Sequence, residues 1–134
     1  MLAPWAQEQV LTWLFTTGAM GTRPTAWFLA LHTGDPGTGA DNEVTSGADA
    51  NYARQSVDLT VALVGNQYEA DTDADVTFPA AETGASYTVT HVSMHSAVTA
   101  GDALLIKAVP IPIPVVGGGV VSIPLGELII QGGQ

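Results

Sequence analysis

After its first twenty or so residues the chain shows no helical periodicity, and short apolar stretches alternate with glycine-marked turns. The clearest stretch is TAWFLALHTGDPG (residues 25–37), where an apolar run ends at His32 and turn residues follow from Gly34. A short run rich in aromatic residues and leucine, closed by Gly, Asp and Pro, predicts a buried strand followed by a turn. Because no helix separates the predicted strands, we expect an all-β antiparallel β-sandwich or jelly-roll-like fold, not a parallel βαβ one.

About seven strands are predicted by runs rich in Val, Thr and aromatic residues. In residues 52–64 the alternation places Val57 and Val61 on the inner face and Arg54 on the outer face. We expect one domain over residues 1–134, with an N-terminal helical segment (1–21) and a sandwich (22–134). The predicted strands cover residues 25–32, 52–64, 75–79, 86–96, 103–109, 120–124 and 127–131.

Residues 4–16, PWAQEQVLTWLFT, predict the single helix. Proline suits a first helical turn, and one apolar stripe recurs at helical spacing. This stripe, expected to face the body of the protein, consists of Ala6, Val10, Trp13 and Leu14. The helix either packs on its own sheet or docks on a neighbouring subunit. Three apolar residues outside the stripe would form that docking surface: Trp5, Leu11 and Phe15.

The run VPIPIPVV carries prolines at positions 110, 112 and 114. In an extended strand alternate residues donate in the same direction, so all three prolines remove an N–H from one edge. The run either protects a sheet edge, or forms a polyproline connector, or lies along a partner through Ile111 and Ile113.

Charge restricts the classes of partner. Thirteen acidic residues against three basic ones give a net charge of −10, which repels nucleic acid and anionic membranes. No stretch reaches the roughly 20 apolar residues of a membrane helix. Only 12% of residues are charged while 46% are hydrophobic, a lean surface that predicts apolar contacts between subunits.

Candidate chemistry is weak. Asp71, Asp73, Asp75 and Glu82 match the acidic positions of a calcium loop, but Val76 occupies the position that requires glycine. The histidines are few, and His91 and His95 lie roughly 13 Å apart along a strand. No nucleophile elbow or phosphate-binding glycine loop occurs. We expect no enzymatic activity, no cofactor and no metal.

Several segments in fixed order carry a resemblance: FLALHTGDPG, NYARQSV, ADVTFPAA, SYTVTHVSMHSAVTAGDALLIKA and GELII. Together they resemble a family of small tailed-bacteriophage virion proteins, usually described as tail fibre or minor structural proteins. The chain departs from the family at Gly34, where alanine is frequent, and at His95, where an acidic residue is usual. The resemblance implies a β-sandwich that is assembled in the host cytoplasm and forms an oligomer on the virion exterior.

Within that resemblance three roles remain open. A capsid cement or decoration protein comes first, bound to the major capsid protein, with a homotrimer as its expected form. A tail-fibre or tail-tip subunit, bound to tail proteins through the long loop 38–51, is the alternative. A carbohydrate-binding module is the third.

Overall fold

The computed structural model describes residues 1–131; strands make up 39% of the chain and helix 9%. All strand pairs are antiparallel. The all-β antiparallel fold with a single N-terminal helix is therefore confirmed. The elements of the described range are α1 (Pro4–Phe15), β1 (Phe28–His32), β2 (Gln55–Ser56), β3 (Leu59–Val64), β4 (Gln67–Thr72), β5 (Val76–Thr77), β6 (Ser86–His95), β7 (Ala103–Val116), β8 (Ser122–Ile123) and β9 (Ile130–Gln131).

The largest sheet has four strands in the order β2-β1-β6-β7. Strand β6 pairs with β1 on one side, with Leu29 opposite Met94, and with β7 on the other, with Met94 opposite Leu105. Between Val89 and His91 the register of β7 shifts, and four residues of β7 (109–112) lie opposite one residue of β6. This segment contains two prolines, which cannot donate to the ladder, and it bulges out of the sheet.

Two smaller sheets, β3-β4-β9 and β5-β8, complete the fold. Their inward residues and those of the large sheet form one apolar core. Val76 and Phe78 point into this core. Its buried members are Leu29, Leu31, Val44, Val57, Val76, Phe78, Ala81, Ala85, Val89, Val92, Met94, Leu105, Val115, Val121, Ile123 and Leu128.

The outer edge of β7 is protected in two ways. Near its start the N-terminal residues pair with it: the Ala3 N–H donates to the Leu104 carbonyl at 2.9 Å, and the Ile106 N–H donates to the Met1 carbonyl at 2.9 Å. Further along, the three prolines lie inside β7, so the run is a protected strand edge and not a connector.

Residues 52–64 do not form the single predicted strand. They divide into β2 and β3, which belong to different sheets. Arg54, predicted to face outward, is buried because its guanidinium pairs with Glu43. Val61, predicted to face inward, is exposed because β3 and β4 extend beyond the core as a hairpin.

The predicted inward stripe of α1 is also wrong. Ala6 is buried, whereas Val10, Trp13 and Leu14 are exposed. The backbone pairing of Ala3 with β7 fixes the beginning of the helix against the sheet, and the later turns extend past it. No helix in the described range has the length and apolarity needed to span a membrane.

The long loop 38–51 packs closely against β7 at Gly39. Its φ is +133°, and a Cβ there would collide with the Cβ of Ala103. We expect Gly39→Ala to lower the free energy of unfolding by about 2 kcal/mol or more, through both backbone strain and overpacking. Urea unfolding followed by circular dichroism measures this.

Gly47→Ala is the matched control in the same loop. A Cβ at Gly47 would meet only the Thr45 hydroxyl at 3.8 Å, which is ordinary van der Waals contact. Equal stabilities of the two variants would contradict the close approach of Gly39 to β7.

Candidate assembly site

Helix α1 presents an unusual exposed apolar surface. We define the helix surface as Leu11, Trp13, Leu14 and Phe15; Trp13 is 64% exposed and Phe15 76%. A helix that is apolar on most of its sides is normally covered by other protein. Residues 9–22 also contain no charged side chain. The surface therefore has the composition of an interface.

The predicted interface residues on α1 behave differently from one another. Leu11 and Phe15 are exposed, in keeping with their position outside the predicted stripe. Trp5 is half-buried, and its ring lies close to Gly21 in the chain that returns from the helix. Trp5 thus packs against its own chain, while Leu11 and Phe15 are available to a partner.

The bulge of β7 places the other two predicted residues beside a surface groove. Ile111 is 78% exposed, whereas Ile113 packs against the core. The groove has a volume of about 260 Å³ and runs between the bulge and the segment from Ser122 to Leu128. Lys107 and Glu127 also line it, and the lysine ammonium donates to the Glu127 carbonyl. The five predicted residues are thus divided between the helix and the groove, both adjoining β7.

The sequence analysis missed a third apolar surface, on the β3–β4 hairpin. Val61 is 65% exposed, and Leu63 and Tyr68 beside it are also exposed. The signal was available: Gly65-Asn66 separates two strand-like runs, which is typical of a two-residue hairpin turn. The predicted strand ends at Val64, just before this turn, and the sequence analysis predicted no strand where β4 lies.

A buried ion pair holds the long loop against the large sheet. Arg54 donates from Nε and Nη2 to the two carboxylate oxygens of Glu43, at 2.8 and 2.7 Å. Its Nη1 donates to the carbonyls of Ala97 and Ala100. Tyr52 donates its hydroxyl proton to Glu43 and accepts the Leu31 N–H. These hydrogen bonds therefore join separate segments of the chain.

The same contacts set the acidity of these groups. Burial alone would raise the pKa of Glu43, but hydrogen bonds from Arg54 and Tyr52 outweigh it and hold that pKa below its ordinary value. Burial, together with the neighbouring carboxylate, raises the pKa of Tyr52. The cluster is thus a carboxylate–guanidinium pair with a neutral phenol at neutral pH.

Loop residue Asp49 forms a second buried anchor. Its carboxylate accepts the backbone N–H groups of Glu82 and Asn51, both at 3.0 Å, and the hydroxyl of Tyr87 at 2.9 Å. Burial alone would raise the pKa of Asp49. The hydrogen bonds have the larger effect and hold that pKa below its ordinary value. Burial and Asp49 together raise the pKa of Tyr87 to about 12. The loop through which the alternative tail-fibre role would contact other proteins is therefore held to the body of the protein at Glu43 and Asp49.

Two histidines that the sequence could not bring together meet through Ser93. The Nδ1 of His32 lies 2.8 Å from the Asp41 carbonyl and must donate to it, so Nε2 accepts the Ser93 hydroxyl proton at 2.6 Å. Ser93 in turn accepts from Nε2 of His95 at 2.8 Å. Burial lowers the pKa of His32 and lowers that of His95 to about 4.

A serine between two imidazoles resembles a nucleophile with its base, but Ser93 is only 1% exposed. No substrate can reach its hydroxyl in this structure, and the chain of hydrogen bonds serves to join β1, β6 and the long loop. The third histidine, His91, lies opposite His32 in the pairing of β1 with β6 and bonds the Thr90 hydroxyl, not Ser93.

The acidic residues of the apparent calcium loop point to separate backbone groups. Asp71 accepts the Thr72 N–H, Asp75 accepts the Leu125 N–H at 2.8 Å, and Glu82 accepts the Ala50 N–H at 3.0 Å. Asp73 accepts the Thr60 hydroxyl. Within residues 1–131 no three acidic or histidine side chains converge as metal ligands.

The buried histidines predict acid sensitivity. Since the pKa of His95 is about 4 in the folded chain and about 6.5 when unfolded, the unfolded state binds more protons between these values, and stability falls as pH drops through this window. We expect a loss of about 2 kcal/mol between pH 7 and pH 5 from this residue. Chemical unfolding at both pH values measures it.

In His95→Gln this difference between pH 7 and pH 5 should shrink, even though the variant is less stable overall. Thr99→Ala, which changes an exposed side chain and no titratable group, should keep the wild-type difference. An unchanged pH dependence in His95→Gln would contradict the assignment.

Comparison with known proteins gives a family match. Residues 2–131 match the family described as "Podophage GP4 fiber I protein gp80". A search of curated proteins found no match. Because the family match extends over nearly the whole chain, the protein belongs to this family of phage fibre proteins and has a structural role in the virion.

Proposed function

We propose that the protein is a non-enzymatic subunit of a phage tail fibre or tail tip, and that it binds neighbouring virion proteins through the helix surface. The family match supports a fibre. The observation that carries the mode of assembly is the exposure of Leu11, Trp13 and Phe15 on a segment without charge.

The size of the helix surface supports this role. An aromatic side chain presents about 200 Å², so Trp13 and Phe15 alone expose roughly 280 Å². With Leu11 and Leu14 included, the surface reaches more than half of the roughly 800 Å² that each partner buries in a standard interface. Covering it would stabilise an assembly by several kcal/mol before the cost of association is subtracted.

The distribution of these side chains supports contact with more than one neighbour. Leu11 and Trp13 are two positions apart, which is about 200° around the helix axis. One flat partner cannot cover both, whereas a cyclic oligomer gives each helix two neighbours. We therefore propose a homo-oligomer, with a trimer as the arrangement to test first. The helices or grooves of this oligomer would also contact other virion proteins.

A capsid cement role is the second candidate. The acidic surface and the small β-rich fold support it, because a densely displayed protein must stay soluble. The family description favours the fibre over this role. Copy number separates the two: densitometry of purified virions that gives a few copies supports the fibre, and hundreds of copies support cement. A carbohydrate-binding role predicts signals on a glycan array of host sugars.

The helix surface gives a direct test. We expect the double variant Leu11→Gln and Phe15→Gln to fold with nearly wild-type stability, since both side chains are exposed, and to lose incorporation into phage particles. Complementation of a phage lacking the wild-type gene, followed by immunoblotting of purified particles, measures incorporation. Deleting the whole helix is a poorer test because Ala3 and Ala6 are buried against the body.

Leu125→Gln is the matched control, because Leu125 has the same exposed fraction as Leu11, 55%, and lies outside the helix surface and the groove. It should enter particles normally. Normal incorporation of the Leu11 and Phe15 variant would overturn the proposed role of the helix.

A further inference from the structure

Strand β3 differs from the other sheet edges. The outer edge of β7 is covered by the N-terminal residues and by prolines, and β2 is only two residues long. Strand β3 (Leu59–Val64, LTVALV) is six residues long and contains no proline, no charged residue and no register shift against β4. Long, regular and apolar edges of this kind are templates for pairing with another strand.

The hairpin geometry shows which backbone groups of β3 are available. Val64 and Gln67 flank the two-residue turn, where Gly65 has a φ of +63°. In such hairpins the flanking pair is hydrogen-bonded, and hydrogen-bonded pairs recur at every second residue. The N–H and C=O groups of Leu59, Val61 and Leu63 therefore point away from β4. Within the described residues these groups have no hydrogen-bond partner.

The side chains of the hairpin agree with an intermolecular contact. Val61, Leu63 and Tyr68 share one face of the hairpin and are exposed. Beyond its base the hairpin has only two strands, and two-stranded ribbons are marginally stable in water without further strands or packing. A hairpin of another molecule would add two more strands to the ribbon and pack against its exposed face.

The lack of charge on the hairpin suits a second copy of the same chain as the partner. The protein has a net charge of −10, so two copies repel one another over most of their surface. Residues 59–68 contain no charged side chain, and they form a face on which identical chains meet without placing like charges opposite each other.

We propose that β3 pairs antiparallel with β3 of a second copy across a two-fold axis at Val61, which joins the two hairpins into a continuous sheet. Val61 then lies opposite its own counterpart, and Leu59 lies opposite Leu63. The outward N–H and C=O groups of all three residues form hydrogen bonds with the second strand. The contact is independent of the helix surface, so it operates whether or not the helix binds other virion proteins.

Single cysteines test the pairing, because the chain contains no natural cysteine. In the proposed register the two Val61 Cα atoms are about 5.5 Å apart, which suits a disulfide. Two copies of Leu63 are roughly 13 Å apart. Under mild oxidation of the purified protein, Val61→Cys should form a covalent dimer at least about tenfold faster than Leu63→Cys. Absent or equal cross-linking in the two variants overturns the proposal.

A second experiment removes a backbone hydrogen-bond donor from the edge of β3. Val61→Pro removes an outward N–H, which an edge strand tolerates, and should halve the mass of the assembly in sedimentation or light scattering. Val61→Thr keeps the N–H and should retain the wild-type mass. If Val61→Pro fails to fold, Val61→Lys replaces it, because paired lysines at the axis repel. An unchanged mass in a folded Val61→Pro or Val61→Lys variant overturns the proposal, and leaves the helix surface unaffected.

Discussion

The fold depends on how the open edges of its sheets are protected from pairing with other strands. None of the three sheets closes into a barrel within the described residues, so every outer strand must be paired, covered or blocked. Strand β7 shows both solutions on one edge: Met1 and Ala3 hydrogen-bond to its first half, and prolines occupy its second half. The pairing of Ala3 with Leu104 also determines where α1 begins, and therefore how far its apolar turns extend beyond the sheet. The exposed helix surface is a consequence of how this edge is covered.

The sequence predicted the elements whose pattern is local. The strands β1, β5 and β6 were predicted nearly to their bounds, because an apolar or Thr- and Val-rich run between turn residues is enough to identify a strand. The helix was predicted for the same reason. The buried face of the helix was not predicted correctly. It depends on the backbone pairing of residues 1–3 with β7, about a hundred positions later in the chain. Periodicity shows which residues share a face, but not which face meets the body.

The errors between residues 52 and 64 have a related cause. Alternation assigns Arg54 to the outside, whereas Glu43 and two carbonyls of the β6–β7 connection bind it inside the protein. Such a cluster is a long-range arrangement of single residues and leaves no periodic trace. His95 is a similar case, because its imidazole bonds a buried serine inside the protein. The buried hydrogen bonds that hold the long loop could not have been predicted from the sequence, because they join residues that lie far apart along the chain.

The combination of high negative charge with exposed apolar surface follows from the needs of an assembling protein. Repulsion disfavours contact between copies wherever acidic residues lie opposite each other, so uncharged surfaces are the more favourable places for such a contact. Residues 9–22 around the helix and residues 59–68 on the hairpin are two uncharged segments on exposed elements of the described chain. One offers side chains on several sides of a helix, and the other offers backbone groups along a strand. Because these contacts differ in kind and lie on separate elements, a fibre subunit can use both at the same time without competition between them.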